Sequence, residues 1–145
     1  NGSDINARDG EVDVTVSNAS GALRTARVSR GGFSATQPTS NISLVDLRLT
    51  DPLDGCRGTK ATARTDGTRR TTRRLKVRVK GRYRTIGRYA SAIARGTEWT
   101  IIDGCDRTVI RVIEGVVTVR NRRTGRLLTV RAVKTRTILA SGCVV

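Results

Sequence analysis

The segment Leu75-Lys76-Val77-Arg78-Val79-Lys80 decides the fold. Apolar and cationic residues alternate strictly, so an extended strand puts Leu75, Val77 and Val79 on one face and all three cations on the other. A helix would scatter both sets around its axis. The same period of two recurs outward in both directions. Upstream, Glu11-Val12-Asp13-Val14-Thr15-Val16 gathers three valines on one face; shorter candidates follow at 22–28 and 32–36, separated by a Gly31-Gly32 turn. The stretch 42–49 turns Leu47 and Leu49 inward and stops at the turn cluster Asp51-Pro52-Leu53-Asp54-Gly55. Downstream, 83–89, 92–95, 98–102, 108–113, 116–120, 127–133 and 135–140 read as strands, punctuated by Gly81, Gly87, Gly96, Asp103-Gly104, Glu114-Gly115 and Arg123-Thr124-Gly125. Strands at this spacing predict an all-β sandwich, barrel or solenoid-like stack with little or no helix. Gly96 and Gly115 each end an alternating run, where a positive φ or a close backbone approach is expected.

Composition narrows the function. The chain has 145 residues, 28 Lys+Arg against 12 Asp+Glu, and no His. Without His there is no Ser-His or Cys-His nucleophile and no His-containing zinc site. Any acid-base work would fall to carboxylates, Lys or Tyr. Most of the cations are Arg, whose charge does not titrate near neutrality. These features point away from an enzyme, a cofactor, a bound metal or a small-molecule substrate. No run of about 18 apolar residues predicts a membrane-spanning helix. The opening at Asn1, with neither an initiator Met nor a signal-peptide pattern, reads as a mature or trimmed product.

The charge is split along the chain. Residues 1–56 carry five Arg and seven acids, a net of −2; residues 57–145 carry 23 basic residues and five acids, a net of +18. Such a division suits either a polyanion-facing half or head-to-tail attraction between copies. Residues 57–74 are almost free of large apolar side chains and are expected to form a basic polar insert: a loop, a mobile segment or a long hairpin within a single domain spanning 1–145. Within the Arg-rich 57–95 region, the candidates for contact with nucleic acid, teichoic acid or an acidic glycan are Arg69, Arg70, Arg73, Arg74, Lys76, Arg78 and Lys80. No aromatic is interleaved with them, which argues against stacking on single strands.

The three cysteines imply a compartment. Cys56 and Cys105 both sit in Asp/Gly turns, where a staple between loop ends of two sheets would lie, and the absence of a CxxC pair argues against zinc. A Cys56–Cys105 disulfide is therefore expected. Cys143 is left over and is buried, free or bonded to another chain. Asp9, Glu11 and Asp13 read as a solvated strand face rather than a calcium site, and Asp103 and Asp106 as turn residues. Asn18 and Asn41 open glycosylation sequons. Trp99, alone on an aliphatic strand, is expected to anchor the core.

Residues 85–140 carry a resemblance. Thr85-Ile86-Gly87-Arg88-Tyr89-Ala90 through Arg95-Gly96-Thr97-Glu98-Trp99, the turn Asp103-Gly104-Cys105-Asp106, and Val112-Ile113-Glu114-Gly115-Val116-Val117-Thr118-Val119 resemble the FecR-type domain. In that family Arg-Gly-Thr is followed by an aromatic, a turn and Val-x-Glu-Gly-x-Val-x-Val. The opening from Gly2 to Val12, within residues 2–36, is similar to the start of the secreted actinobacterial versions, which carry a Cys in that turn and a second one upstream. The family's usual Ala-Gly turn is Ala132-Val133 here, so the last turn is built without Gly or the final strands run on. The resemblance implies a non-catalytic, extracytoplasmic sensor or scaffold with a solenoid-like or sandwich-like stack of short strands. Together these readings predict an extracellular or cell-surface structural or interaction protein that self-associates into an oligomer or filament; a polyanion-binding module is the alternative. Leu139, Cys143, Val144 and Val145, an apolar end without the charges or Pro that blunt an edge, are the expected contact.

Overall fold

The computed structural model describes residues 4–17, 23–37, 44–56 and 70–145. These hold thirteen strands and no helix: β1 (Asp4–Asn6), β2 (Glu11–Ser17), β3 (Leu23–Ser29), β4 (Gly32–Thr36), β5 (Val45–Leu49), β6 (Arg73–Lys80), β7 (Arg82–Ile86), β8 (Ala90–Arg95), β9 (Glu98–Asp103), β10 (Arg107–Glu114), β11 (Val116–Asn121), β12 (Leu127–Arg131) and β13 (Thr135–Leu139). They form a seven-stranded sheet, β1-β4-β5-β7-β8-β11-β12, and a six-stranded sheet, β13-β10-β9-β6-β3-β2, which do not close into a barrel. Of the expected architectures, the sandwich is the one found.

The chain deals its strands alternately to the two sheets. The hairpins β2-β3, β4-β5, β7-β8, β9-β10 and β11-β12 each stay within one sheet, and the next element crosses to the other. Because β6 leaves for the six-stranded sheet, β5 and β7 meet in parallel while every other neighbouring pair is antiparallel. The alternating side chains fill the space between. Trp99, Tyr83, Phe33, Leu47, Leu75, Ile101 and Ile110 are fully buried there, and Leu75, Val77 and Val79 of β6 face inward as their spacing requires. Tyr83, on β7, donates its hydroxyl across the core to the carbonyl of Arg24 on β3 (3.0 Å), and burial pushes its pKa up to about 12. Gly96 and Gly115 adopt φ of 65° and 84°, as their places at the ends of alternating runs suggest.

Several boundaries move. Arg73 and Arg74 belong to β6, so the basic insert ends before them; its residues 57–69 lie outside the described residues, as do Asn18 and Asn41. The β3–β4 turn is Arg30-Gly31, with Arg30 at φ 75°, and Gly32 already opens β4. Strand β12 stops at Arg131. The Ala132-Val133 turn closes by a bond from the Lys134 N–H to the Arg131 carbonyl (2.9 Å) and needs no glycine. Asp9 precedes β2 in a turn rather than sharing a strand face with Glu11 and Asp13. Asp103, read as a turn residue, is the last residue of β9 and fully buried.

Candidate functional site

Cys56 follows the β5 turn cluster and Cys105 lies between β9 and β10, so their disulfide joins an end of one sheet to an end of the other. The corner around it is tightly bonded. The Arg70 N–H donates to Asp54 Oδ1 (2.7 Å), the Gly55 N–H donates to the Arg70 carbonyl (2.7 Å), and Tyr89 donates its hydroxyl to the Cys105 carbonyl (2.9 Å). Arg70, read as a polyanion contact, is thereby fixed by its backbone to this corner.

Arg73 has a different role from its neighbours. Its Nε donates to Asp103 Oδ2 (2.9 Å) and its Nη1 to the Asp51 carbonyl (3.1 Å). Asp103 also accepts from the Arg88 N–H (2.8 Å) and the Thr108 hydroxyl (2.7 Å). This buried carboxylate therefore ties β6, the β7–β8 turn and β10 together, and Arg73 is a structural partner rather than a free cation. Sequence reading missed Asp103 because an Asp-Gly pair signals a turn so strongly.

The rest of the β6 candidates face solvent, and two of them lie beside an acid of β9. Arg78 stands between Arg27 on β3 and Glu98 on β9. Arg27 is itself held by Asp13 (3.1 Å) and Glu11 (3.6 Å), and Lys76 by Glu98 (3.5 Å). Arg74 and Lys80 are exposed at the two ends of the row, while Arg69 lies outside the described residues. The face is a checkerboard of charge rather than a continuous basic stripe. Sequence order hides this, because the acids come from strands β2 and β9.

At the C-terminus the chain turns back at Ser141-Gly142 and lays its last residues along β13. Thr137 and Val145 exchange both backbone bonds (3.0 and 2.8 Å), and the Leu139 N–H donates to the Cys143 carbonyl (2.9 Å). The β13 edge at Leu139, expected to be open, is thus covered by the chain's own tail, whose Val144 and Val145 stay exposed. The Cys143 thiol forms no disulfide, and the residue is exposed.

Among the described residues the buried acids are all occupied. Asp46 takes a two-pronged bond from Arg84 (2.7 and 2.7 Å), which raises the arginine's pKa. Asp51 accepts from Arg8 Nε (2.8 Å) and the Gly32 N–H (3.0 Å). Asp106, by contrast, is exposed and pairs with the adjacent Arg107 (2.9 Å). Among the described residues no three His, Cys, Asp or Glu side chains cluster as a metal site, and no helix is long and apolar enough to cross a membrane.

No family model matches the chain, and no curated protein matches it. Two crystal structures of a "putative anti-sigma factor" from Parabacteroides distasonis share its fold. One is 9% identical with a TM-score of 0.56, covering 100% of this chain and 59% of that one. The other is 13% identical with a TM-score of 0.52, covering 99% of this chain and 58% of that one. The chain thus spans under two thirds of the length of the solved proteins it is similar to, and at such identity the likeness establishes a shared sandwich fold.

Proposed function

We propose that this chain is a non-catalytic interaction domain of FecR type that works outside the cytoplasm, as a structural module of the cell envelope whose copies associate. The observation that carries the non-catalytic reading is the fate of the buried acids. Asp46, Asp51, Asp54 and Asp103 are each spent on an arginine or a backbone N–H, so among the described residues no buried carboxylate is held back for proton transfer. The Cys56–Cys105 disulfide fits an oxidising compartment. The name carried by the solved chains of the same fold agrees with the sensor-or-scaffold role that the FecR resemblance implies.

With the β13 edge covered by the tail, association runs through the edges that remain. Strand β2 presents Glu11 and Asp13, and strand β12 presents Arg131 beside an exposed Leu127. An acidic edge of one copy meeting the basic edge of the next gives a heterologous, head-to-tail contact. Light scattering of the oxidised full chain tests this. Growth from low to high micromolar concentration at low salt, lost with added salt and in Arg131→Glu, is the expected result; a monomer under all conditions overturns it.

The second reading, polyanion binding, is favoured by one pair. Arg82 on β7 stands directly opposite Arg95 on β8, and neither has an acidic partner among the described residues. Like charges so placed cost stability until an anion screens them. A heparin affinity that falls steeply with salt and flattens in Arg82→Ser with Arg95→Ser supports this reading, and an unchanged salt slope removes it.

A further inference from the structure

We propose that the outer face of the seven-stranded sheet holds a binding site for a tetrahedral, divalent oxyanion: free sulfate or phosphate, or a terminal phosphate ester. The site is built on a single rung of the sheet. Arg48 on β5 is the register partner of Ile86 on β7, Ile86 of Ser91 on β8, and Ser91 of Arg120 on β11. Four neighbouring strands at ~4.8 Å spacing set the two arginine Cα atoms roughly 14 Å apart. The low side chains of Ile86 and Ser91 lie between them as a floor. Arg84, two residues before Ile86 on the same face, and Arg122, just past β11, complete the rim of a cavity of about 290 Å³.

The charges around this cavity are unbalanced. Arg84 is matched by Asp46 (2.7 Å), and Arg122 Nη1 donates to the Gly87 carbonyl (2.6 Å). Arg48 and Arg120 have neither an acid nor a carbonyl partner among the described residues. Four guanidinium groups against one carboxylate leave a local charge of +3. Cations gathered over a floor that offers no acid repel one another unless an anion sits among them.

The donor geometry selects the anion's shape. A planar carboxylate is satisfied by one two-pronged arginine. Here the donors approach from opposite sides: two uncommitted guanidinium groups, the unused N–H groups of the two anchored ones, and the Ser91 hydroxyl below. An anion with three or four oxygens and two charges uses them all. The Asp46 pair and the Gly87 carbonyl hold Arg84 and Arg122 in place before the ligand arrives, which lowers the ordering cost of binding. The site stands whether or not copies associate, and it lies on the opposite sheet from the β6 cations.

A backbone amide NMR titration of the oxidised full chain with sodium sulfate and with inorganic phosphate, at ionic strength held constant with sodium chloride, tests the site. Saturable shifts at Ile86, Gly87, Ser91 and Arg120 are expected. Affinity should fall at least tenfold in Arg48→Gln with Arg120→Gln, fall partially in each single variant, and stay unchanged in Arg136→Gln, an exposed arginine of β13. A glycerol 3-phosphate arm identifies the source: binding as tight as inorganic phosphate supports a carried ester, and clearly weaker binding supports the free ion. Linear shifts spread over the whole chain, or equal losses in Arg136→Gln and the double variant, overturn the proposal.

Discussion

The indole N–H of Trp99 donates to the hydroxyl of Thr85 at 2.9 Å, from β9 of one sheet to β7 of the other, and both residues are fully buried. This bond, with that of Tyr83 to the Arg24 carbonyl, helps to set how the two sheets sit face to face, because dispersion contacts alone allow many alignments of two apolar surfaces. Thr85→Val keeps the volume and removes the acceptor, leaving a buried N–H unpaired. Unfolding by denaturant should show a loss of about 1–3 kcal/mol. Thr85→Ser, which keeps the hydroxyl, should lose less.

The Cys56–Cys105 bond closes a separation of 49 residues. In the chain-entropy model such a loop contributes ~4 kcal/mol by restricting the unfolded state, a large part of the ~5–15 kcal/mol that holds a domain. Peptide mapping without reductant should recover the linked pair. Replacing both residues by Ala should lower the thermal midpoint markedly, and an unchanged midpoint would refute the stabilising role.

Arg73 separates stability from ligand binding. Arg73→Ala strips the fully buried Asp103 of its cation, and stability should fall by about 3 kcal/mol. Arg74→Ala, one residue on and exposed, should be nearly neutral in the same urea titration.

Acid should weaken the fold through Asp51. Burial alone pushes this carboxyl up, but the Arg8 guanidinium and the Gly32 N–H outweigh it and hold the pKa below its ordinary 3.8. The folded state therefore binds this proton less readily than the unfolded chain does. The stabilisation is complete above the unfolded value and is lost as pH falls below about 4 through the folded one. Asp51→Asn should be less stable at neutral pH by about 2 kcal/mol and should lose less stability than the wild type between pH 4 and pH 2, a comparison that calorimetry across that range makes directly.

The C-terminal tail is expected to act as a cap. Removing residues 141–145 bares the N–H and C=O groups of β13 that now bond Cys143 and Val145. A chain ending at Ala140 should therefore aggregate more readily than the full chain. Light scattering that shows less association after truncation would instead mark the tail as the contact itself.

Much of the sandwich is legible in local pattern. The alternation in Leu75–Lys80 and Glu11–Val16, the inward Leu47 and Leu49, the glycines at 96 and 115 and the buried Trp99 all follow from a side-chain period of two and from the backbone freedom of glycine. The Cys56–Cys105 pairing is legible in their Asp/Gly turn positions and in the absence of a CxxC pair. Local pattern says nothing about which strand lies beside which, because a strand's outer face reads the same whatever its neighbour. Pairing β6 with β9 set Arg73 against Asp103 and turned an expected polyanion contact into a structural bond. The parallel meeting of β5 and β7, forced when β6 crossed to the other sheet, brought Arg48 onto one rung with Arg120, 72 positions away in sequence. The tail's return over β13 closed an edge that composition left open. Those juxtapositions come from long-range backbone hydrogen bonding and the packing of two sheets, and they decide which of the chain's many arginines hold the fold and which face an anion.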